Sequence, residues 1–275
     1  MMRKNFFLNC SNTITILMVW IMTMPVQAEN KAIVKSSEQL KRAYIHHLYQ
    51  QIEFDTFDRL NPKVFEKAYQ GFANLRAAQK LNPEKPIITI CDYSLSANSR
   101  RLWVIDLVKK KVLYNSFVAH GQGTGEEFAT EFSNKENSHQ SSIGFYVTGC
   151  TYIGVHGLSL YLHGMDEGFN SAAFQRSIVL HGAAYVCASF INQNHRLGRS
   201  WGCPAVSETL APQLISLLKE GTCLFAYFPS VTYFSSSFWL HTMPDFFGDI
   251  IDGSQFKLLV PLQPDGDEGV QLVNR

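Results

Sequence analysis

The sequence predicts a mainly β fold, a sandwich or barrel, with an N-terminal helical segment before it and a C-terminal extension after it. Three observations predict this. From residue 86 onward, β-branched and aromatic runs recur at short intervals, separated by Gly, Asn, Ser and Lys clusters, the rhythm of an antiparallel sheet. Before them lie two stretches whose apolar residues repeat at helical spacing. No fixed-period repeat runs through the chain, which argues against propellers and solenoids.

The chain has 275 residues, enough for one substantial domain with an appendage or for two small ones. A hydrophobic content of 46% with 17% charged residues describes a foldable chain. The first 28 residues read as a secretory signal peptide. Arg3 and Lys4 open it, TITILMVWIMTM follows, and Val26-Gln27-Ala28 supplies small residues for a cut after Ala28. The apolar run is shorter than the roughly 20 residues of a spanning helix, so no membrane span is expected after cleavage. Export, most simply to a periplasm, then follows. Loss of Arg3 and Lys4 turns a formal charge of +1 slightly negative, which gives no reason to expect nucleic acid or an anionic membrane as partner.

The elements follow in order. SSEQLKRAYIHHLYQQIEF (36–54) places Leu40, Ala43, Tyr44, His47 and Leu48 on one helical face. In LNPKVFEKAYQGFANLRAAQKL (60–81), Asn61 caps, Pro62 takes the first turn, and Asn82-Pro83 ends the helix. These form an N-terminal segment, 29–83. Strands are expected at 86–91, 101–107, 111–119, 143–155, 158–164 and 177–182, with a polar loop from Gly121 to Ser142. A helix fits ETLAPQLISLLKEG (208–221) and a last strand TCLFAYF (222–228), closing a domain at 84–228. The extension, 229–275, shows no chemistry in its sequence.

Nine histidines raise the question of a metal, but no His-Glu-x-x-His or paired Cys-x-x-Cys spacing occurs, and none is expected. Cysteine with histidine is better supported. Five cysteines remain after the leader, Cys91, Cys150, Cys187, Cys203 and Cys223. In an oxidising compartment an odd number leaves at least one thiol unpaired or paired between molecules. Cys203 lies in LGRSWGCPAV (197–206), where Gly202 permits a tight turn and Pro204 cannot donate to a ladder. Upstream, SIVLHG reads as a strand with Val179 and His181 on one face, ended by Gly182. A thiol with its ordinary pKa is mostly protonated at neutral pH, so a nucleophilic cysteine needs a neighbouring base. Backbone N–H groups at a glycine turn are natural oxyanion donors. Residue types alone leave a disulfide or a core position open for Cys203.

The two motifs in this order resemble the YkuD-type L,D-transpeptidases of the bacterial cell wall, in the branch of murein L,D-transpeptidase catalytic domains. The match rests on His181-Gly182, on Ser200-Trp201-Gly202-Cys203 within GRSWGCPAV (198–206), and on GFNSAAFQRSIVLHGAAYV and SSIGFYVTGCTYIGVHGLSL. It covers roughly residues 62–228. The resemblance implies a YkuD-like β-sandwich or barrel acting on peptidoglycan stem peptides without metal or organic cofactor. Cys203 would attack the carbonyl of the third stem residue and expel D-alanine. His181 would be the base, oriented by a carbonyl near Gly182, and the N–H groups of Gly202 and Cys203 would hold the oxyanion. A second stem's amine or water would then take the acyl group. Arg199, Ser200 and Trp201 are expected to meet the substrate. Two departures stand out: Trp201 replaces a histidine of the broader family, and no arginine follows Cys203. That lack separates the chain from sortases, and its His-before-Cys order separates it from papain-like enzymes. A wall-binding module without catalysis is the rival from another class.

Overall fold

The computed structural model describes residues 39–241, so the signal peptide expected at 1–28 and residues 242–275 of the extension lie outside the described residues. The two helical stripes form α1, residues 39–50, and α2, Pro62–Ala77. Asn61 caps α2 by accepting the Lys63 N–H, and Pro62 fills the first turn, as the sequence predicts. The predicted strands appear as β1 (Ile87–Asp92), β2 (Leu102–Asp106), β3 (Lys111–Ser116), β4 (Gly144–Gly154), β5 (Gly157–Gly164) and β6 (Val179–Gly182). The 208–221 pattern becomes α4 (Ala211–Leu218), and the last strand β8 (Cys223–Tyr227). The sequence did not predict α3 (Ala188–Asn194), the two-residue β7 (Ala205–Val206), or α5 (Val231–Ser236) and α6 (Phe238–His241).

The strands make one sheet in the order β3-β2-β1-β8-β4-β5-β6-β7. Most neighbours are antiparallel, but β8 lies parallel to β1 and β7 parallel to β6, a mixture the antiparallel expectation did not include. The Ala119 N–H donates to the Ala205 carbonyl at 2.8 Å, so chain beyond β3 meets β7 and nearly closes the sheet. Leu160, Leu162, Leu180 and Leu224 are buried with Leu214, Ile215 and Leu218 of α4. Elsewhere Gly71 of α2 receives the Phe145 ring, which stacks on Phe225 at 4.1 Å.

The described part of the extension belongs to this body. Asn74 Nδ2 of α2 donates to the Trp239 carbonyl at 2.6 Å, and Gln70 Nε2 to that of Leu240. Among the described residues, no helix is long and apolar enough to cross a membrane. All five cysteines among the described residues are free thiols, so the odd-count argument identifies no particular one. Cys91 and Cys223 lie on adjacent strands but out of register, Cys91 opposite Ala226 and Ile88 opposite Cys223.

Candidate active site

Cys203 follows a turn that Ser200 and Gly202 shape. Gly202 has φ +122°, and a Cβ there would lie 2.7 Å from the Gln140 carbonyl oxygen, so both strain and contact exclude a side chain. Ser200 Oγ donates to the Cys203 carbonyl at 2.6 Å and accepts the Gly202 N–H at 3.1 Å. Ser141 Oγ donates to the Gly202 carbonyl at 3.0 Å while accepting the Gly121 N–H at 3.0 Å, which fastens the turn to the 121–142 loop. On its other side the Ser200 N–H reaches the His120 carbonyl, and Arg101 holds His120 Nδ1 at 2.7 Å.

Strand register brings the His181 strand and the Cys203 turn side by side. The chain pairs His181 with Ala205, two residues past Cys203. The Val179 N–H donates to Cys203 Sγ at 3.4 Å, and Sγ donates to the Ser177 carbonyl at 3.6 Å. Val179 and His181 share a strand face, so the thiol lies beside β6 about 7 Å along the strand from the histidine position. His181 is only 2% exposed. Its Nδ1 lies 2.9 Å from the Gly182 carbonyl oxygen and must donate there, which leaves the lone pair on Nε2. Burial pushes the His181 pKa down, the Gly182 bond offsets part of this, and the neighbouring His156 ring adds to the lowering. Burial pushes the Cys203 thiol up, opposed by the Val179 N–H and by Arg176. Both shifts favour the neutral forms, imidazole and thiol.

The other expected residues make the following contacts. The Gly202 N–H, which the resemblance implies as an oxyanion donor, donates to Ser200 Oγ at 3.1 Å in this structure. The Cys203 N–H has no protein acceptor among the described residues. Arg199 Nη1 pairs with Glu126 at 2.8 Å and donates to the Gln122 and Gly125 carbonyls. Ser200 is 5% exposed and braces the turn. Trp201 is 70% exposed and stacks on His139.

The structure adds two residues that the sequence did not single out. Arg176, just before β6, donates to the Ser133 and Gln140 carbonyls at 2.6 Å each and lies near Gly202 and Cys203. It is half-buried, and among the described residues no carboxylate forms an ion pair with it. Its charge is therefore felt at the thiol. His156, in the β4–β5 turn, stacks on His181 with ring centroids 4.3 Å apart. Only the strand-end setting of SIVLHG and the tight GCP turn were visible beforehand. The positions of Arg176 and His156 depend on long-range register. A cavity of about 560 Å³ opens beside this stack, lined by Val155, His156, Gly182, Ala183, Tyr185 and Glu208. No three His, Cys, Asp or Glu side chains gather as a metal site among the described residues.

The L,D-transpeptidase catalytic domain family matches residues 57–227. A search of curated proteins finds no match. Among solved structures, an L,D-transpeptidase in complex with imipenem is 14% identical, with 52% of this chain and 59% of that one covered and a TM-score of 0.32. An L,D-transpeptidase from Mycobacterium smegmatis is 10% identical, with 52% and 59% covered and a TM-score of 0.32. One from Stackebrandtia nassauensis is 11% identical, with 67% and 91% covered and the same TM-score of 0.32. The chain thus spans about three-fifths of the first two. The family match takes in more than half of the chain and includes both the His181 strand and the Cys203 turn, and the chain belongs to the L,D-transpeptidase catalytic domain family.

Proposed function

We propose that this chain is a peptidoglycan-modifying cysteine acyltransferase that acts on stem tetrapeptides through a Cys203 thioacyl-enzyme. The observation that carries the reading is the 2.9 Å contact of His181 Nδ1 with the Gly182 carbonyl oxygen. With Nδ1 held by Gly182, Nε2 is the free base on the strand that also holds the Cys203 thiol. Nε2 takes the thiol proton as Sγ bonds to the carbonyl carbon of the third stem residue. The Cys203 N–H receives the oxyanion. Collapse breaks the C–N bond, and His181 gives its proton to the departing D-alanine amine. An amine of a second stem then attacks the thioester, His181 takes its proton, and the C–S bond breaks to restore the thiol. The cavity beside His156 and Tyr185 suits an extended stem. We further propose that residues 1–28 are removed on export and that the mature chain works in the periplasm as one catalytic unit with its helical flanks.

Intact mass after incubation with a carbapenem tests this reading. One adduct per chain is expected on the reduced wild type. It should be absent in Cys203→Ala and form far more slowly in His181→Ala. A folded, reduced protein that gains no adduct sinks the proposal. Product analysis on tetrapeptides then separates cross-linking from trimming.

A further inference from the structure

Two residues ahead of Cys203, Trp201 presents an indole that the fold leaves in water on one face only. It is 70% exposed, and the His139 imidazole covers its other side at 4.7 Å, nearly parallel at 9°. An open indole offers a large, flat apolar face, the kind of surface that tryptophan contributes at binding interfaces. The stack is firmly held. His139 adopts φ +53°, its Nδ1 takes a hydrogen bond with Gln122 Nε2 at 3.1 Å, and its carbonyl accepts the Gly123 N–H at 3.0 Å. A Cβ on Gly121 would fall 2.3 Å from the His139 carbonyl oxygen and 2.9 Å from Gly202 Cα, so only glycine lets this loop press against the cysteine turn. Gln140, tied through its carbonyl to Arg176, borders the same turn.

We propose that the Trp201–His139 stack is a sugar-binding shelf that takes a pyranose ring of the glycan to which the stem is attached. This rests on the reading that Cys203 acylates on a stem peptide. The apolar C–H face of a pyranose matches an open indole face, and the amide of Gln122 at the shelf's edge suits hydroxyl and N-acetyl groups. The reach also fits. If the third stem residue is the one attacked, about three residue lengths, roughly 10 Å, separate that carbonyl from the sugar. Trp201 Cα lies at most about 7 Å from Cys203 Cα, and the indole extends further. The shelf would thus select stems still carried on glycan over free peptides.

Two measurements on the mature chain test the shelf. In the first, kcat/KM is compared for a disaccharide-tetrapeptide and for the same tetrapeptide without sugar. Wild type should favour the glycosylated substrate by about tenfold, the worth of one aromatic stack. Trp201→Ala should bring the ratio close to one, and Trp201→Phe should keep part of it. In the second, a tetramer of β-1,4-linked N-acetylglucosamine is titrated into Cys203→Ala protein while indole fluorescence is followed. A saturable change that vanishes in Cys203→Ala/Trp201→Ala, with the melting curve preserved, supports the shelf. Equal use of both substrates by wild type, an unchanged ratio in Trp201→Ala, or no fluorescence response overturns it. The carbapenem adduct reports on Cys203 alone, so a failed shelf with an intact adduct leaves the acyl-enzyme reading standing. If no adduct forms, the titration still decides the shelf.

Discussion

His181 Nδ1 lies 2.9 Å from the carbonyl oxygen of the next residue, Gly182, and this contact decides which ring nitrogen can accept a proton. The acceptor is Nε2. The carbonyl also steadies the imidazolium that forms during turnover, because Nδ1–H remains its donor in both charge states.

Burial, first, and then the His156 ring hold the His181 pKa below the ordinary histidine value. A lowered pKa keeps the base neutral into mild acid, so the acid limb of the acylation rate is expected below pH 6.5. His156→Ala removes a neighbouring ring and admits water; both effects raise the His181 pKa, and the limb should move to higher pH. Carbapenem acylation rates from pH 4 to 9 check this, and an unmoved limb in His156→Ala contradicts it. His181→Ala should cost about 10²–10⁴ in rate.

Arg176 supplies a positive charge beside a thiol that burial pushes up. Arg176→Gln should raise the thiol pKa further and slow its alkylation at neutral pH by roughly tenfold. Arg176→Lys loses the two short carbonyl bonds but keeps the charge, so it should retain most of the rate. If both variants slow equally and their pH profiles coincide, Arg176 acts only by anchoring the loop.

Gly202 tests the turn. At φ +122° with the Gln140 carbonyl in the place of a Cβ, Gly202→Ala should cost about 1–3 kcal/mol from backbone strain alone. Melting curves should fall by several degrees, and carbapenem acylation should fall more steeply, because Cys203 is displaced. Native stability with full acylation would show that the turn tolerates a side chain.

What the sequence revealed depended on how local the signal was. The turn at Gly202 and the strand end at His181-Gly182 were readable because a glycine-proline turn and a strand-end His-Gly are features of neighbouring residues. Asn61 and Pro62 were readable as a helix start for the same reason. The ion pair of Arg199 with Glu126 was not readable, because the two lie 73 residues apart in sequence. The bond of the Gly202 N–H to Ser200 Oγ, only two residues away, was not anticipated because it depends on the exact turn geometry. The parallel pairing of β1 with β8 joins residues more than 130 apart, and periodicity carries no information on such partners. Short β7 and α3 lack a repeat long enough to show a period.

The extension read as featureless, yet Asp166 gives it a structural job. Its carboxylate accepts the Phe145 N–H at 2.7 Å, Ser237 Oγ at 2.5 Å and Tyr233 O–H at 3.1 Å, joining β4 to α5 and the residue before α6. Trp239 Nε1 adds a bond to the Met165 carbonyl at 2.7 Å. Asp166→Ala leaves three donors without an acceptor and should cost about 3 kcal/mol, lowering the Tm by roughly 5–10 °C. Tyr233→Phe, which loses one bond, should cost about 1 kcal/mol. Burial holds the Asp166 pKa above the ordinary carboxylate value, outweighing these donors. The native state therefore binds a proton that the unfolded chain has already released. The Asp166 contribution should accordingly fall as pH rises from about 3.9 through the raised native value. Urea unfolding across that window should show this downward slope in wild type relative to Asp166→Asn. The opposite slope would mean that the Phe145, Ser237 and Tyr233 donors outweigh burial.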